Sequence, residues 1–244
     1  MVVQVLGLGL DPAWRRGGGG SACEEGRAFS AAVESAPGVT TLTYSCVGLR
    51  AGVDLILWRL AGCVEQLEEA AASALGTGLG RWLQVRQSLV GLIQPSPYAR
   101  RPQPPQPALF GDRRSRYLIV YPFSKSAGWY RLSPETRKAA MAEHMRIGHA
   151  HGGVRQLLAS SFGVDDMDFL VAYGTDDLGD FSELVRELRA TEARRWTLRD
   201  TPILTAVHRP LPEITRLLGA TQADLDAAGA RGASPTRVLR GGGL

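Results

Sequence analysis

The sequence predicts an α+β protein made of two ferredoxin-like units in one chain, closing into an α+β barrel or pairing as two sheets with helices outside. Three observations carry this. Both halves read β-α-β-β-α-β. Landmarks recur at one period: Gly48 and Gly163 lie 115 residues apart, as do Trp58 and Tyr173, and Pro95 and Pro210, while Trp82 of "GRW" and Trp196 of "RRW" lie 114 apart. A shared period with one residue of slippage marks a duplicated unit. Between the halves runs "QPSPYARRPQPPQPALFGDRRSR", whose prolines at 102, 104, 105 and 107 forbid regular helix and central strand. The expected organisation is therefore an N-terminal unit over 1–95, an extended linker over 96–116, a C-terminal unit over 117–218 and a disordered tail over 219–244.

Apolar and β-branched residues concentrate in four strand candidates of the first unit, Val2–Leu10, Val39–Leu49, Asp54–Leu60 and Leu83–Ile93. The glycine run Gly17–Gly20 reads as a loop. "EEGRAFSAAVES" and "CVEQLEEAAASALG" carry the three-four spacing of amphipathic helices, the second ending at a glycine stop. The second unit repeats the order with strand Tyr117–Phe123, helix Ser133–Gly148, strands Val154–Phe162 and Asp168–Tyr173, helix Asp177–Arg194 and strand Ile203–Arg209.

Composition narrows the function classes. No run of about 18 apolar residues exists, which argues against a membrane-spanning helix. The N-terminus has no basic stretch ahead of its short apolar run, so no secretory signal is expected. Cys23, Cys46 and Cys63 form no CxxC and have no paired histidine, the usage of a reducing cytoplasm. The net charge of +4 is spread over arginines interleaved with acids, as in "SELVRELRATEARRW", the pattern of a solvated helix rather than a nucleic-acid stripe.

Three of the four histidines fall in "SPETRKAAMAEHMRIGHAHGG". Ser133, Pro134 and Glu135 form a helix start: a capping hydroxyl, a proline in the first turn and a carboxylate at the positive dipole end. Counting inward, Ala140, Met141, His144 and Ile147 share one apolar face. His149 and His151 follow Gly148 and are expected in a loop. A single histidine on an apolar face is either a core residue with both nitrogens satisfied or a metal ligand. No second His, Cys or carboxylate stands at zinc spacing, but one axial histidine suffices for haem iron. Spacing alone leaves both readings open.

"VYPFSKSAGWYRLSPETRKAAMAEH" resembles the signature of the chlorite dismutase-like family, which includes chlorite dismutases and coproheme decarboxylases. The shared pattern is Tyr121, Pro122, Ser124, Lys125, Trp129, Tyr130, Ser133, Pro134, Glu135, Glu143 and His144. "SFGVDDMDFLVAYGT" and the residues after it continue the match, and the first half follows more loosely. The resemblance implies a dimeric α+β barrel assembled as a homopentamer. It implies His144 as the proximal haem ligand, Glu192 as a carboxylate able to contact that histidine, Trp129 packed against the porphyrin, Lys125 on a propionate, and Tyr130 as a further cofactor-binding residue. An i,i+3 pair with Arg195 is the alternative for Glu192, a core position for Trp129 and a surface position for Lys125.

Chlorite dismutases carry an arginine on the strand after the histidine helix. Here Gln156 stands at that position, and strand alternation turns the adjacent Arg155 to the other face. Gln156 resembles the neutral residue of coproheme decarboxylases, and Tyr121 matches their radical-forming tyrosine. The resemblance therefore implies peroxide-dependent oxidative decarboxylation of coproheme to haem b, with haem iron as the redox centre, and disfavours chlorite dismutation. A haem peroxidase of other substrate and a non-catalytic haem-binding protein are the alternatives.

Overall fold

The computed structural model describes residues 1–17, 22–95, 109–111 and 113–219. In the N-terminal unit, strands β1 (Val2–Leu10), β2 (Val39–Arg50), β3 (Val53–Ala61) and β4 (Leu83–Leu92) alternate with helices α1 (Pro12–Gly17), α2 (Ala22–Glu34) and α3 (Val64–Leu75). The C-terminal unit contains β5 (Tyr117–Lys125), α4 (Ala127–Arg131), α5 (Pro134–Ala150), β6 (Arg155–Ser160), β7 (Phe169–Thr175), α6 (Leu178–Arg189), β8 (Thr197–Arg199), β9 (Leu204–His208) and α7 (Leu211–Leu218).

Within the units the strands lie in the orders β4-β1-β3-β2 and β9-β5-β7-β6, all antiparallel. Two seams join them: β2 meets β9 at Tyr44↔His208 and Ser45↔Val207, and β4 meets β6 at Leu92↔Ser160. The sheet thus closes into an eight-strand α+β barrel, with β8 added at the far end of β5. Closure leaves no edge strand in the ring itself.

Period-two alternation sorts the side chains into two layers. Val3, Val5, Ile56, Trp58, Leu118, Val120, Leu157, Ala159, Leu170 and Ala172 fill the barrel interior. The alternate residues face the helices: Leu6, Leu8, Leu55 and Leu57 lie under α2 and α7, and Ile119, Val171 and Tyr173 lie under α5 and α6. The end of the proline-rich stretch also belongs to this core. Leu109 is 4 % exposed inside the barrel and Phe110 stacks on Trp58 at 5.0 Å, so residues 109–111 and 113–116 close a mouth of the barrel rather than merely spanning it. Arg155 holds them there, its Nη2 donating to the Arg113 carbonyl and to Ser115 Oγ, each at 2.8 Å. Residues 96–108 of the expected linker lie outside the described residues.

Several local expectations need correction. Helix α5 continues to Ala150, so His149 sits in its last turn and not in a loop; only His151 follows, as the C-cap. The single helix expected over Asp177–Arg194 is two elements, because α6 ends at Arg189 and a separate 3-10 turn spans Glu192–Trp196. Gly17 closes α1, whereas Gly18–Gly20 lie outside the described residues. The helix α7 was not anticipated; Gly219 is its C-cap, and 220–244 lie outside the described residues.

Candidate functional site

The C-terminal sheet turns Tyr117, Tyr121, Phe123, Phe169 and Tyr173 towards its helices. Direct cross-strand partners share a face, so Gln156, opposite Tyr173, and Leu158, opposite Val171, look the same way. Nothing covers them as α6 covers Tyr173: Gln156 is exposed and Leu158 is 46 % exposed, against 5 % for Tyr173. An apolar residue and an amide thus stand open on the face that looks towards the helices.

Helix α5 rises from a built start, with Ser133 Oγ accepting the Thr136 N–H at 3.2 Å and Pro134 in the first turn. Its inward stripe carries Ala140, His144 and Ile147. Ala140 packs with Trp129 and Ala193, while Ile147 joins the cluster under Tyr121 and Tyr173. The half-buried ring of His144 lies between these clusters, without a hydrogen bond to another described residue. Its pKa is lowered, first by burial and then by the Lys125 ammonium, with Glu143 opposing. The imidazole is thus held neutral, the form that donates to a metal.

Lys125 and Trp129 lie together. The Nζ of Lys125 donates to the Ala193 carbonyl at 2.5 Å and sits 4.6 Å from the centre of the Trp129 ring. Trp129 is 3 % exposed. Tyr121 is tucked against Tyr173, their ring centres 6.3 Å apart, and burial, followed by the interaction with Tyr173, raises its pKa far above the usual phenol value. On its other flank Tyr121 lines a groove of about 360 Å³ with Phe181, Val185, Arg186, Arg189 and Ile203.

Two expected residues point elsewhere. The Glu192 carboxylate pairs with Arg195 at 3.2 Å, because the 3-10 turn aims it outward; contact with α5 runs instead from the Glu192 backbone N–H to Glu143 Oε2 at 3.1 Å. Tyr130, 39 % exposed, donates its hydroxyl to Asp168 Oδ2 at 2.5 Å and packs edge-on against Phe162. Tyr121, Lys125, Trp129, His144 and Gln156 are therefore brought around one side of the C-terminal unit, while Glu192 and Tyr130 brace its rim.

Sequence reasoning missed Asp168, which accepts from both the Lys125 N–H (2.7 Å) and Tyr130, and fixes the end of β5 that carries Lys125. It also missed the acids that meet His151: Asp180 Oδ1 lies 2.5 Å from Nδ1, and Glu187 Oε1 lies 3.4 Å from Nε2. Their spacing of seven along α6 places both on one face and was available as a signal.

The ligand set fits a large planar metal complex. A neutral imidazole that makes no hydrogen bond to another described residue faces inward, an aromatic wall and an uncovered Leu158 offer apolar surface, and Lys125 offers a cation. Among the described residues, no group of three or more His, Cys, Asp or Glu could by itself hold a metal ion.

A family model described as chlorite dismutase matches residues 20–209. A coproheme decarboxylase from Mycolicibacterium smegmatis is 33 % identical over 163 residues, covering 66 % of this chain and 70 % of that protein. The structure of chlorite dismutase from Candidatus Nitrospira defluvii in complex with imidazole superposes with a TM-score of 0.80 at 28 % identity, covering 90 % of this chain and 95 % of that one. A mutant of the same enzyme in complex with cyanide gives 0.81 at 26 % identity over the same shares.

Proposed function

The chain belongs to the chlorite dismutase family, and from that premise we propose that it is a haem-dependent oxidoreductase of the coproheme decarboxylase type, converting coproheme to haem b with hydrogen peroxide. The observation that carries the reading is Gln156, a neutral amide on the sheet face that looks towards the helices, where an arginine would suit an anionic oxidant. The curated relative named coproheme decarboxylase supports the same side.

Bound haem iron would supply the activation of peroxide. His144 would be its protein ligand, kept neutral by burial and by Lys125. Trp129 would back the porphyrin, and Lys125 would hold a propionate by charge. Tyr121, protonated across the physiological range, would be the group that gives up one electron together with its proton and recovers a hydrogen atom from the propionate, peroxide being the final electron acceptor. For each arm, R–CH2–CH2–COO⁻ + H2O2 + H⁺ gives R–CH=CH2 + CO2 + 2 H2O, so two arms consume two peroxides.

The same reading places the protein in the cytoplasm as a homo-oligomer, with the pentamer as the expected state. No helix among the described residues is long and apolar enough to cross a membrane.

A second reading, a haem-binding protein or haem peroxidase without decarboxylation, draws on one observation: the Tyr121 hydroxyl is turned to Tyr173 inside the helix-facing cluster. The separating experiment loads the chain with ferric coproheme, adds peroxide and follows the Soret band and product masses. Stepwise loss of two carboxyl groups, abolished in Tyr121→Phe, is the expected result. Tight binding with no change in mass would sink the decarboxylase reading and favour the second.

A further inference from the structure

The helix that carries His144 is fastened to its neighbours at two points on either side of that residue. Towards its N-terminus Glu143 accepts the backbone N–H of Glu192. At its C-cap the ring of His151 is held by carboxylates at both nitrogens, Asp180 at Nδ1 and Glu187 at Nε2. Both acids belong to α6, one near its start and one near its end, so a single imidazole spans two turns of the facing helix. Only 11 % of the His151 side chain is exposed, and the backbone after it is pressed close: a Cβ on Gly153 would stand 3.1 Å from Asp180 Oδ2.

An imidazole can donate from both nitrogens only when both carry protons. Two carboxylates at opposite ends of the ring therefore select the cation, and a neutral ring would leave one of them facing a lone pair. Because the acids approach from opposite ends of the ring, they cannot share a metal ion with it. The arrangement is a clamp.

We propose that His151, as an imidazolium bridging Asp180 and Glu187, is the positioning residue that sets the α5–α6 spacing in which His144 meets the porphyrin; the inference rests on the haem reading given above. His151 lies seven residues beyond His144 and takes no part in the chemistry. Asp180 and Glu187 are the charged groups acting on its ring, and they raise its pKa. Of the histidines beside it on α5, His149 is exposed. With the folded value raised, the clamp is fully formed below the ordinary histidine value of 6.5 and is lost as pH rises through the folded value.

The test compares the wild-type chain with His151→Gln and His151→Arg; arginine keeps the cation at every pH and can reach two carboxylates. Amide exchange along α5 in the haem-free chain, referenced to α2 and α3, is measured from about pH 6 upward in steps. Wild-type α5 should lose protection by about fivefold as pH rises through the raised His151 value, the scale of a partly exposed charged pair, while His151→Gln is low and His151→Arg high throughout. Ferric coproheme should dissociate faster from His151→Gln by a similar factor, with His151→Arg restoring the slow rate. Unchanged α5 protection in His151→Gln, or a wild-type pH effect that survives in His151→Arg, overturns the clamp. So does an α5 that loosens while the coproheme off-rate stays the same. If the wild-type chain itself shows no Soret shift with coproheme, the haem reading falls and the positioning role falls with it.

Discussion

The Nζ of Lys125 rests on the Ala193 carbonyl and on the face of Trp129, contacts that favour an ammonium, yet burial and then Arg194 draw its pKa from 10.5 down to about 8. Desolvation exceeds the two attractions because the carbonyl and the ring supply only partial negative charge. An anion brought to Lys125 would complete the pair and raise that value, which is the behaviour expected of a binding cation awaiting its partner. Without the anion the folded chain still carries the ammonium at neutral pH but holds its proton less tightly than the unfolded chain does. Stability should therefore rise as pH passes from about 8 to 10.5, where the unfolded chain still holds a proton that the folded one has released. Lys125→Met should consequently be more stable than wild type at neutral pH, and the gain should shrink across that window; a urea midpoint series in pH reads it. Gln156 is the complementary case, since nothing in the fold requires it. Gln156→Arg should leave stability within about 0.5 kcal/mol, as exposed substitutions do. In the coproheme-loaded chain it should strengthen fluoride binding by about tenfold, the scale of a charge-assisted hydrogen bond; equal affinity would show that position 156 does not face the iron.

Helices α4 and α7 show what short elements contribute. Gly128 lies in α4, beside Trp129, and a Cβ there would come within 2.6 Å of the Trp196 ring. Gly128→Ala should cost about 1–3 kcal/mol by overpacking, and should shift the near-ultraviolet signal of Trp129 and Trp196. Helix α7 follows the last strand of the C-terminal unit but packs on the first unit: Leu211, Ile214 and Leu218 lie with Leu6, Leu8, Phe29 and Leu57. Ile214→Ala, at a site only 1 % exposed, should therefore cost about 2–5 kcal/mol, read as a single cooperative denaturation midpoint for both units. The long elements were legible because their periods run over many residues: Val2–Leu10 agrees to the residue, and the helix beginning at Ser133 was recognisable from its cap. Eight-residue α7 was not, since two turns after a proline read equally as the end of the strand before it. The merging of α6 with the following 3-10 turn has a similar cause. Apolar spacing continues through Ala190 and Thr191, although the chain closes the helix there with backbone N–H groups turned to Glu187 and Leu188.

At the scale of the whole molecule, the duplication was readable, and its slippage sets the helix-facing surfaces of the two units apart. Gly48 and Gly163, 115 apart, both adopt left-handed backbone, with φ of 72° and 70°, and are true equivalents. Trp58 and Tyr173, also 115 apart, are not: Trp58 lies inside the barrel and Tyr173 under the helices. One residue of slip moves a side chain through the sheet, so the position equivalent to Tyr173 is Arg59. In the first unit that space is closed by a guanidinium 1 % exposed, whose Nη2 donates to Gln4 and whose pKa burial lowers to about 10. In the second unit it holds a tyrosine, with Tyr121 beside it and Gln156 open beyond. Buried phenols at Tyr44, Tyr121 and Tyr173 also couple the whole fold to alkaline pH. Burial is the main cause that pushes Tyr44 and Tyr173 up to about 12, and Tyr121 further still. In the unfolded chain each loses its proton near 10. Their contribution to stability is therefore intact below pH 10 and falls above it as the unfolded state ionises alone, each tyrosine taking away about 1.4 kcal/mol per pH unit. Urea midpoints measured between about pH 9.5 and 11 should drop steeply for wild type, and Tyr44→Phe, which keeps the ring, should reduce the slope by about one proton. An unchanged slope in Tyr44→Phe would mean that its hydroxyl can ionise inside the barrel, and that the mouth beside Leu109 and Phe110 admits water.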